Sequence, residues 1–393
     1  MSQVGIPQGW QQKPLAKVAD IDRRGMQPDQ IPFEARYVGL EHVDGDGNFI
    51  GIENAQSAEL KSMKFTFTDQ HILYGKLRPY LKKISRPEFS GVCSTDILPI
   101  RLKNGLDKNY LFHYLRQQKL VDLATTRCSG ANLPRLSPKA LAEFPVIYPT
   151  SPDEQKRIAA ILDKADAIRR KRRQALALAD QFLRSVFLEM FGDPMTNPKG
   201  WRKEPLSKMV RFVSGGTPSK DRADFWDGTF PWVSPKDMKS IEINDAEDHV
   251  SDAAFSETSL KVIPEGAILI VVRGMIIAHT VPVAITTNQV AINQDMKALI
   301  VKNSLIPEFS LYCLRVQHSH LLSRISTAAH GTKRFDMQDL HSIGMLVPDH
   351  GLQDQFRKIV LKFRFHQHKS GDSVAGLNDL FGSLTQRAFR GEL

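Results

Sequence analysis

Cysteine is scarce: Cys93, Cys128 and Cys313 are the only three in 393 residues, and they stand far apart. That excludes a disulfide framework and a cysteine-rich zinc module. His318/His320 and His366/His368 are spaced by two, not by the four that lets one helix face hold an ion, so no metal site is expected. The first ten residues lack a basic start followed by an apolar run, so no signal peptide is expected and a cytoplasmic chain is predicted. Residues 266–285 are nearly apolar, yet Arg273, His279 and Pro282 interrupt them. The β-rich run Ile268–Val272 predicts buried sheet there, not a membrane span.

Catalytic signatures are also missing. The loop from Gly215 and Gly216 to Lys220 lacks the spacing of a phosphate-binding loop. Asn197-Pro198-Lys199 is the nearest approach to a base-flipping methyltransferase tetrapeptide, and it has no aromatic residue to stack on a base. Asp29, Glu59 and Lys61 could be imagined around Mg²⁺, but nothing in the second half of the chain echoes them, and unrelated surface charges explain them better. No nucleophile–base arrangement stands out. The chain is read as non-catalytic, with no cofactor of its own.

What is present is a repeat. Gly9-Trp10, Pro14-Leu15 and Lys17 return as Gly200-Trp201, Pro205-Leu206 and Lys208. Ile72-Leu73 before a basic stretch is echoed by Ile268-Leu269 before Arg273, and Leu115-Arg116 by Leu314-Arg315. Gly130, Arg135, Leu141 and Pro149 match Gly331, Lys333/Arg334, Leu340 and Pro348. Order and spacing persist across half the chain, the mark of a tandem duplication.

Each half ends in a helix-like segment. Ser151-Pro152-Asp153 is a helix start, and Gly192-Asp193-Pro194 a stop. Between them Ile158, Ile161, Ala165, Ile168, Ala175, Ala179, Phe182, Val186 and Met190 recur in steps of three and four, a coiled-coil pattern. In the second segment, from Gln353 to Arg390, Val360, Phe363, Val374, Leu377, Phe381, Leu384 and Ala388 recur similarly, broken by Gly371, Gly376 and Gly382. The globular halves mix short β-branched runs with Gly/Asp/Asn turns and helices near 110–119 and 309–320, predicting an α+β class. The expected segments are 1–152, a spacer 153–191, 192–351, and a second spacer 352–393.

Lys+Arg outnumber Asp+Glu by 53 to 43, a net +10 that favours polyanionic partners. The excess is uneven: +5 in residues 1–152 but −1 in 191–351, so any anion binding in the second half needs a local patch. Lys61, Lys64, Lys76, Arg78, Lys82, Lys83 and Arg86 face only Asp69, with Tyr74, Tyr80 and Phe89 among or beside them. Arginine forks onto guanine while lysine suits phosphate, so this stretch fits a DNA groove, a guarded sheet edge being the alternative. The run from Arg169 to Arg173 reads equally as a solvated helix face or a backbone contact.

The chain resembles the specificity (DNA-recognition) subunit of type I restriction–modification systems. The likeness rests on the duplicated Gly-Trp/Pro-Leu openings, the spacer running from Asp153 through Ile158 and Leu162 to Phe182–Asp193, and the ending from Ser383 to Leu393. It implies two target-recognition domains, one per half of a split DNA target, separated by two antiparallel helices in a pseudo-two-fold repeat. It also implies that the helices dock two methyltransferase subunits, with a restriction/translocase subunit able to join. S-adenosylmethionine, ATP and Mg²⁺ would then belong to those partners alone. Docking residues would be Ile158, Ile161, Ile168, Phe182 and Val186, with Val360, Phe363, Leu377, Phe381 and Leu384. Exposure-prone loops, repeat position and side-chain chemistry nominate Lys76, Arg78, Asn132 and Arg135 for DNA contact in the first domain. Thr217, Lys220, Arg222, Arg273, Lys333 and Arg334 are nominated in the second. The competing reading is a protein-interaction scaffold with incidental DNA binding.

Overall fold

The computed structural model describes residues 6–130, 132–302, 304–327, 331–369 and 374–393. The chain divides into two compact units, residues 1–173 with 372–393, and residues 174–371. Both are α+β.

In the first unit, Ile97–Leu102 pairs antiparallel with Ala19–Ile21 on one side and His71–Gly75 on the other. The short strand Ile84–Ser85 completes this four-stranded sheet. A second, five-stranded sheet joins Gly25–Met26, Lys64–Phe67, Gly91–Cys93, Arg36–Val38 and Glu53–Asn54, with one parallel pairing between Arg36–Val38 and Gly91–Cys93. Trp10–Pro14 closes against Pro145–Pro149, bringing the start of the repeat onto its end.

The second unit repeats the plan. Met296–Val301 pairs with Val210–Ser214 and Ile268–Val271, which in turn pairs with Val283–Thr286. Arg202–Pro205 closes against Gly344–Val347 as the counterpart strand does in the first unit. The apolar run at 266–285 is explained here. Ile268, Ile270 and Val272 enter one core cluster, while Leu269 and Val271 enter another. Alternate side chains leave opposite faces of a strand, so a strand covered on both sides reads as continuously apolar. Each such fully buried aliphatic side chain contributes about 1.5–3 kcal/mol.

The helices expected near 110–119 and 309–320 are each a pair: Lys108–Leu115 then Gln118–Thr126, and Pro307–Val316 then His318–Ser323. The long helix runs Pro152–Phe191, with Asp153 and Glu154 in its first turn. Gly192 ends it at φ +78, and the Trp201 indole and the Lys199 ammonium donate to its terminal carbonyls. The C-terminal segment forms two helices, His350–Lys369 and Val374–Ala388. Gly376 and Gly382 sit inside the second, whereas Gly371 lies outside the described residues.

The expected seam is shifted. Among the large apolar side chains of the long helix, Ile158 and Leu162, and then Leu183, Phe187 and Phe191, are the buried ones, in steps of four. They pack each helix half on the core of its own unit. Ile158 (1% exposed) and Val360 (0%) therefore have no surface left for a partner, which corrects their assignment as docking residues. Ile161, Val186, Phe363, Phe381 and Leu384 are half-buried, and the side chain of Leu377 lies outside the described ones. Ile168 and Phe182 are exposed, Phe182 stacking on Phe363 at 5.0 Å.

Within the first unit the last helix runs antiparallel to the long one: Arg157 donates to the Leu393 carbonyl, and Arg169 lies over Phe381. Within the second unit Phe187 meets Phe356 and Phe182 meets Phe363, again antiparallel. A repeat-related latch fixes each junction. Buried Gln155 accepts from Asp107 N (2.7 Å) and donates to the Gly105 and Pro149 carbonyls. Buried Gln353 does the same with Ile306 N (2.9 Å), Ser304 and Pro348.

Candidate nucleic-acid interface

In the first unit the strand His71–Gly75 runs out into residues 76–78, which lie along a hairpin of Cys128–Ser129 and Arg135–Leu136. Three backbone hydrogen bonds hold the junction: Lys76 N to Asp96 O (2.9 Å), Leu136 N to Lys76 O (2.9 Å) and Arg78 N to Pro134 O (2.8 Å). Lys76, Arg78 and Arg135 are thereby gathered, and exposed Asn132 sits at the hairpin turn. The Asp96 carboxylate accepts from Arg135 Nε at 3.1 Å and lies 3.8 Å from Lys76 Nζ. Its hydrogen bond raises the Arg135 pKa and braces the guanidinium. Arg78 is exposed, has no ion-pair partner among the described residues, and has φ +52. A left-handed conformation costs a residue with a Cβ about 1–2 kcal/mol.

The second unit reproduces the junction. Val272 N reaches Asp295 O (2.8 Å), Phe335 N reaches Val272 O (2.9 Å), and Gly274 N reaches Lys333 O (3.1 Å). The bridge Leu77↔Arg135 has its counterpart in Arg273↔Arg334. The register is thus Lys76 on Val272, Leu77 on Arg273, Arg78 on Gly274 and Arg135 on Arg334. Arg78 and Arg273 are neighbours in this register, not counterparts, although each follows a matching Ile-Leu pair in the sequence. Gly274, at φ +116, takes the backbone conformation without strain.

Arg273 and Arg334 face each other across the bridge, and like charges so placed repel. Arg334 is braced by Asp336 at 2.9 Å, and Lys333 donates to Thr327 Oγ1. Lys297, which the sequence reading missed, joins this patch. It donates to Ser214 Oγ, and burial and then nearby Arg273 lower its pKa. Four cations with one paired carboxylate form the local patch that the second half's net charge requires.

Other nominated residues lie elsewhere. Thr217 and Lys220 are exposed on the loop following Val210–Ser214. Arg222 is held by Asp224 (2.7 Å) and Glu257 (3.1 Å) and covers Phe225, so its charge is already matched. No hydrogen bond or ion pair among the described residues joins these three to Arg273, Lys333 or Arg334. Much of the basic stretch 61–86 is also committed internally. Buried Lys64 donates to Ser62, Lys83 to Leu40 O (2.6 Å), and Arg86 to Asn109 and Asp163. The arginine run on the long helix binds the turn at 44–48. Arg169 and Arg173 hold Asp46, and Arg170 holds Asn48. Its role there is structural.

Among the described residues no group of three or more His, Cys, Asp or Glu could hold a metal, and no helix is long and apolar enough to cross a membrane. The model of the type I restriction modification DNA specificity domain matches residues 7–178 and again 198–364. The chain belongs to that family. Among similar curated proteins, the Escherichia coli EcoR124I/EcoR124II specificity subunit is 29% identical over 228 residues, 56% of this chain and 55% of that protein. The E. coli EcoDI specificity subunit is 29% identical over 203 residues, 51% of this chain and 45% of that one. The chain spans about half the length of the curated relatives it matches. The solved S subunit of a type I system from M. genitalium superposes with a TM-score of 0.56 at 14% identity, covering 99% of this chain and 98% of that one, a likeness of fold. Both family matches contain one of the stapled junctions, so the two sites belong to two copies of the same domain.

Proposed function

We propose that the chain is the sequence-specific DNA-recognition subunit of a type I restriction–modification complex, each unit reading one half of a bipartite target. The observation that carries this reading is the junction itself. In both units the same two backbone hydrogen bonds bind the exit of a central strand to a hairpin bearing a braced arginine, and a third ties that exit to the carbonyl of Asp96 or Asp295. A backbone-fixed arginine fork suits guanine O6 and N7 in the major groove, and flanking lysines suit phosphates. Lys76, Arg78, Asn132 and Arg135 serve the first half-site, and Arg273, Lys297, Lys333 and Arg334 the second. Thr217 and Lys220 are outlying contacts. Two equivalent readers in one chain suit a target made of two spaced halves.

In this reading the chain carries no catalytic group and works in the cytoplasm. S-adenosylmethionine, ATP and Mg²⁺ are handled by two methyltransferase subunits and a restriction/translocase subunit. Residues 1–152 and 192–351 are the recognition domains, and 153–191 with 352–393 the spacer helices. Exposed Ile168 in the first unit and exposed Phe182 in the second, each with half-buried positions beside it, offer the methyltransferases apolar contacts. The test is methylome sequencing of cells carrying this chain with its methyltransferase partner. A new gapped motif is expected. A complex that forms but methylates nothing new leaves the scaffold reading instead.

A further inference from the structure

A cavity of about 980 Å³ opens in the first unit, walled by the turn at 44–46, the segment 116–119, the long helix and the last helix. Six cations line it against two carboxylates, Asp44 and Asp46. Both carboxylates are committed. Asp46 is held by Arg169 and Arg173, and Asp44 accepts from the backbone of Asp46 and Asn48 and from the Asn48 side chain. That leaves Lys82, Arg116, Lys119 and Arg390 with no carboxylate within ion-pair distance among the described residues. Arg116 donates to the neutral carbonyls of Ile84 and Gly45 and lies over the Phe112 ring at 5.0 Å. Burial lowers its pKa to about 10 against the pull of Asp166 and Asp46; burial and then Arg116 lower that of Lys82, and burial and then Arg390 lower that of Lys119. Cations that oppose one another's charge across a concave surface make a standing site for an anion.

We propose that this cavity docks an acidic segment of a partner protein, its carboxylates received by Lys82, Arg116, Lys119 and Arg390. Three features favour a peptide over phosphate. The cavity is concave, whereas duplex DNA presents a convex rod whose phosphates reach a rim and not a floor. Its remaining polar lining is amide-rich, with Gln118, Asn378 and Gln386, which suits peptide N–H and C=O groups, and Phe381 adds an apolar wall. The same wall already holds one polypeptide carboxylate, since Asp46 sits between Arg169 and Arg173. The proposal rests on the chain being one subunit of a larger assembly, and it concerns a protein contact distinct from the base-reading junctions.

The test is calorimetry on the full chain at physiological salt with four probes. These are a ten-residue Asp/Glu peptide containing one Phe, its Asn/Gln isostere, inorganic tripolyphosphate, and a random duplex. The acidic peptide is expected to bind one to one, and the isostere not at all. Combined Lys82→Gln, Lys119→Gln and Arg390→Gln are expected to weaken it about tenfold, at roughly 0.5 kcal/mol per charge. Exposed Arg390→Glu alone supplies the same direction if the triple variant folds poorly. No binding of the acidic peptide overturns the proposal, and so does its displacement by tripolyphosphate or duplex at lower concentration. Because the readout needs no DNA target, its failure is separate from failure of half-site reading.

Discussion

Arg78 pays for its position with backbone strain, and that makes it separable into two measurable parts. Its φ of +52 costs about 1–2 kcal/mol for a residue with a Cβ, while glycine at an ordinary position costs about 0.4–1 kcal/mol in unfolded-chain entropy. Arg78→Gly should therefore leave the first unit unchanged or stabilise it by up to about 1.6 kcal/mol, a rise of at most roughly 3–6 °C in Tm for a unit of this size. Arg78→Ala keeps the strain and loses the guanidinium, so it should melt below Arg78→Gly. Both variants lose a bidentate contact worth about 1–3 kcal/mol of discrimination, or roughly 5- to 150-fold. The assay is a thermal melt of each variant beside anisotropy titrations on the methylome-defined target and on duplexes altered in one half-site. A fall in Tm for Arg78→Gly refutes the strain argument, because the side chain would then be a net stabiliser. Unchanged discrimination refutes its role in reading.

Other outcomes follow from the latches and from the buried acid. Gln155→Ala and Gln353→Ala each strand one buried N–H and two carbonyls, so each is expected to lower the stability of its own unit by about 2–4 kcal/mol in urea denaturation, with the other unit's transition unmoved. For Asp163, burial raises the pKa, but hydrogen bonds from His113 and Arg86 outweigh it and bring the group to about 2, below its ordinary 3.8. A depressed carboxylate contributes stability that is present above the unfolded pKa and lost as pH falls through the folded one. The wild type should therefore lose stability against Asp163→Asn between about pH 4 and pH 2, and parallel acid titrations of the two proteins would contradict this.

The duplication, the long helix and the doubly covered strand at 268–271 are legible in the sequence because each is a local pattern. Caps, period and composition determine them within a few residues. The register that sets Arg78 on Gly274 and Leu77 on Arg273 is not local, for it depends on hydrogen bonds to hairpins some sixty residues away. The fate of the basic stretch was hidden for the same reason. Lys83 and Arg86 find partners in Leu40 and Asp163, far apart in sequence, and a charge count cannot tell a free cation from a spent one. The helix seam failed differently: the long helix has more apolar residues than one stripe, and packing on each unit's core chose the four-step row through Leu162 and Phe187. Lys297 had no signal beyond its place on a strand, whereas Gln155 and Gln353 had one, each following shortly after the last strand of its repeat.

The central claim is that each unit reads its own half-site, and methylome sequencing of Arg78→Ala and Arg273→Ala, each co-expressed with the methyltransferase partner, tests it most directly. The account predicts that each variant blurs one base position in one half of a gapped motif, and that the two variants blur opposite halves. Blurring of the same half by both, or uniform loss of methylation across the whole motif, contradicts it.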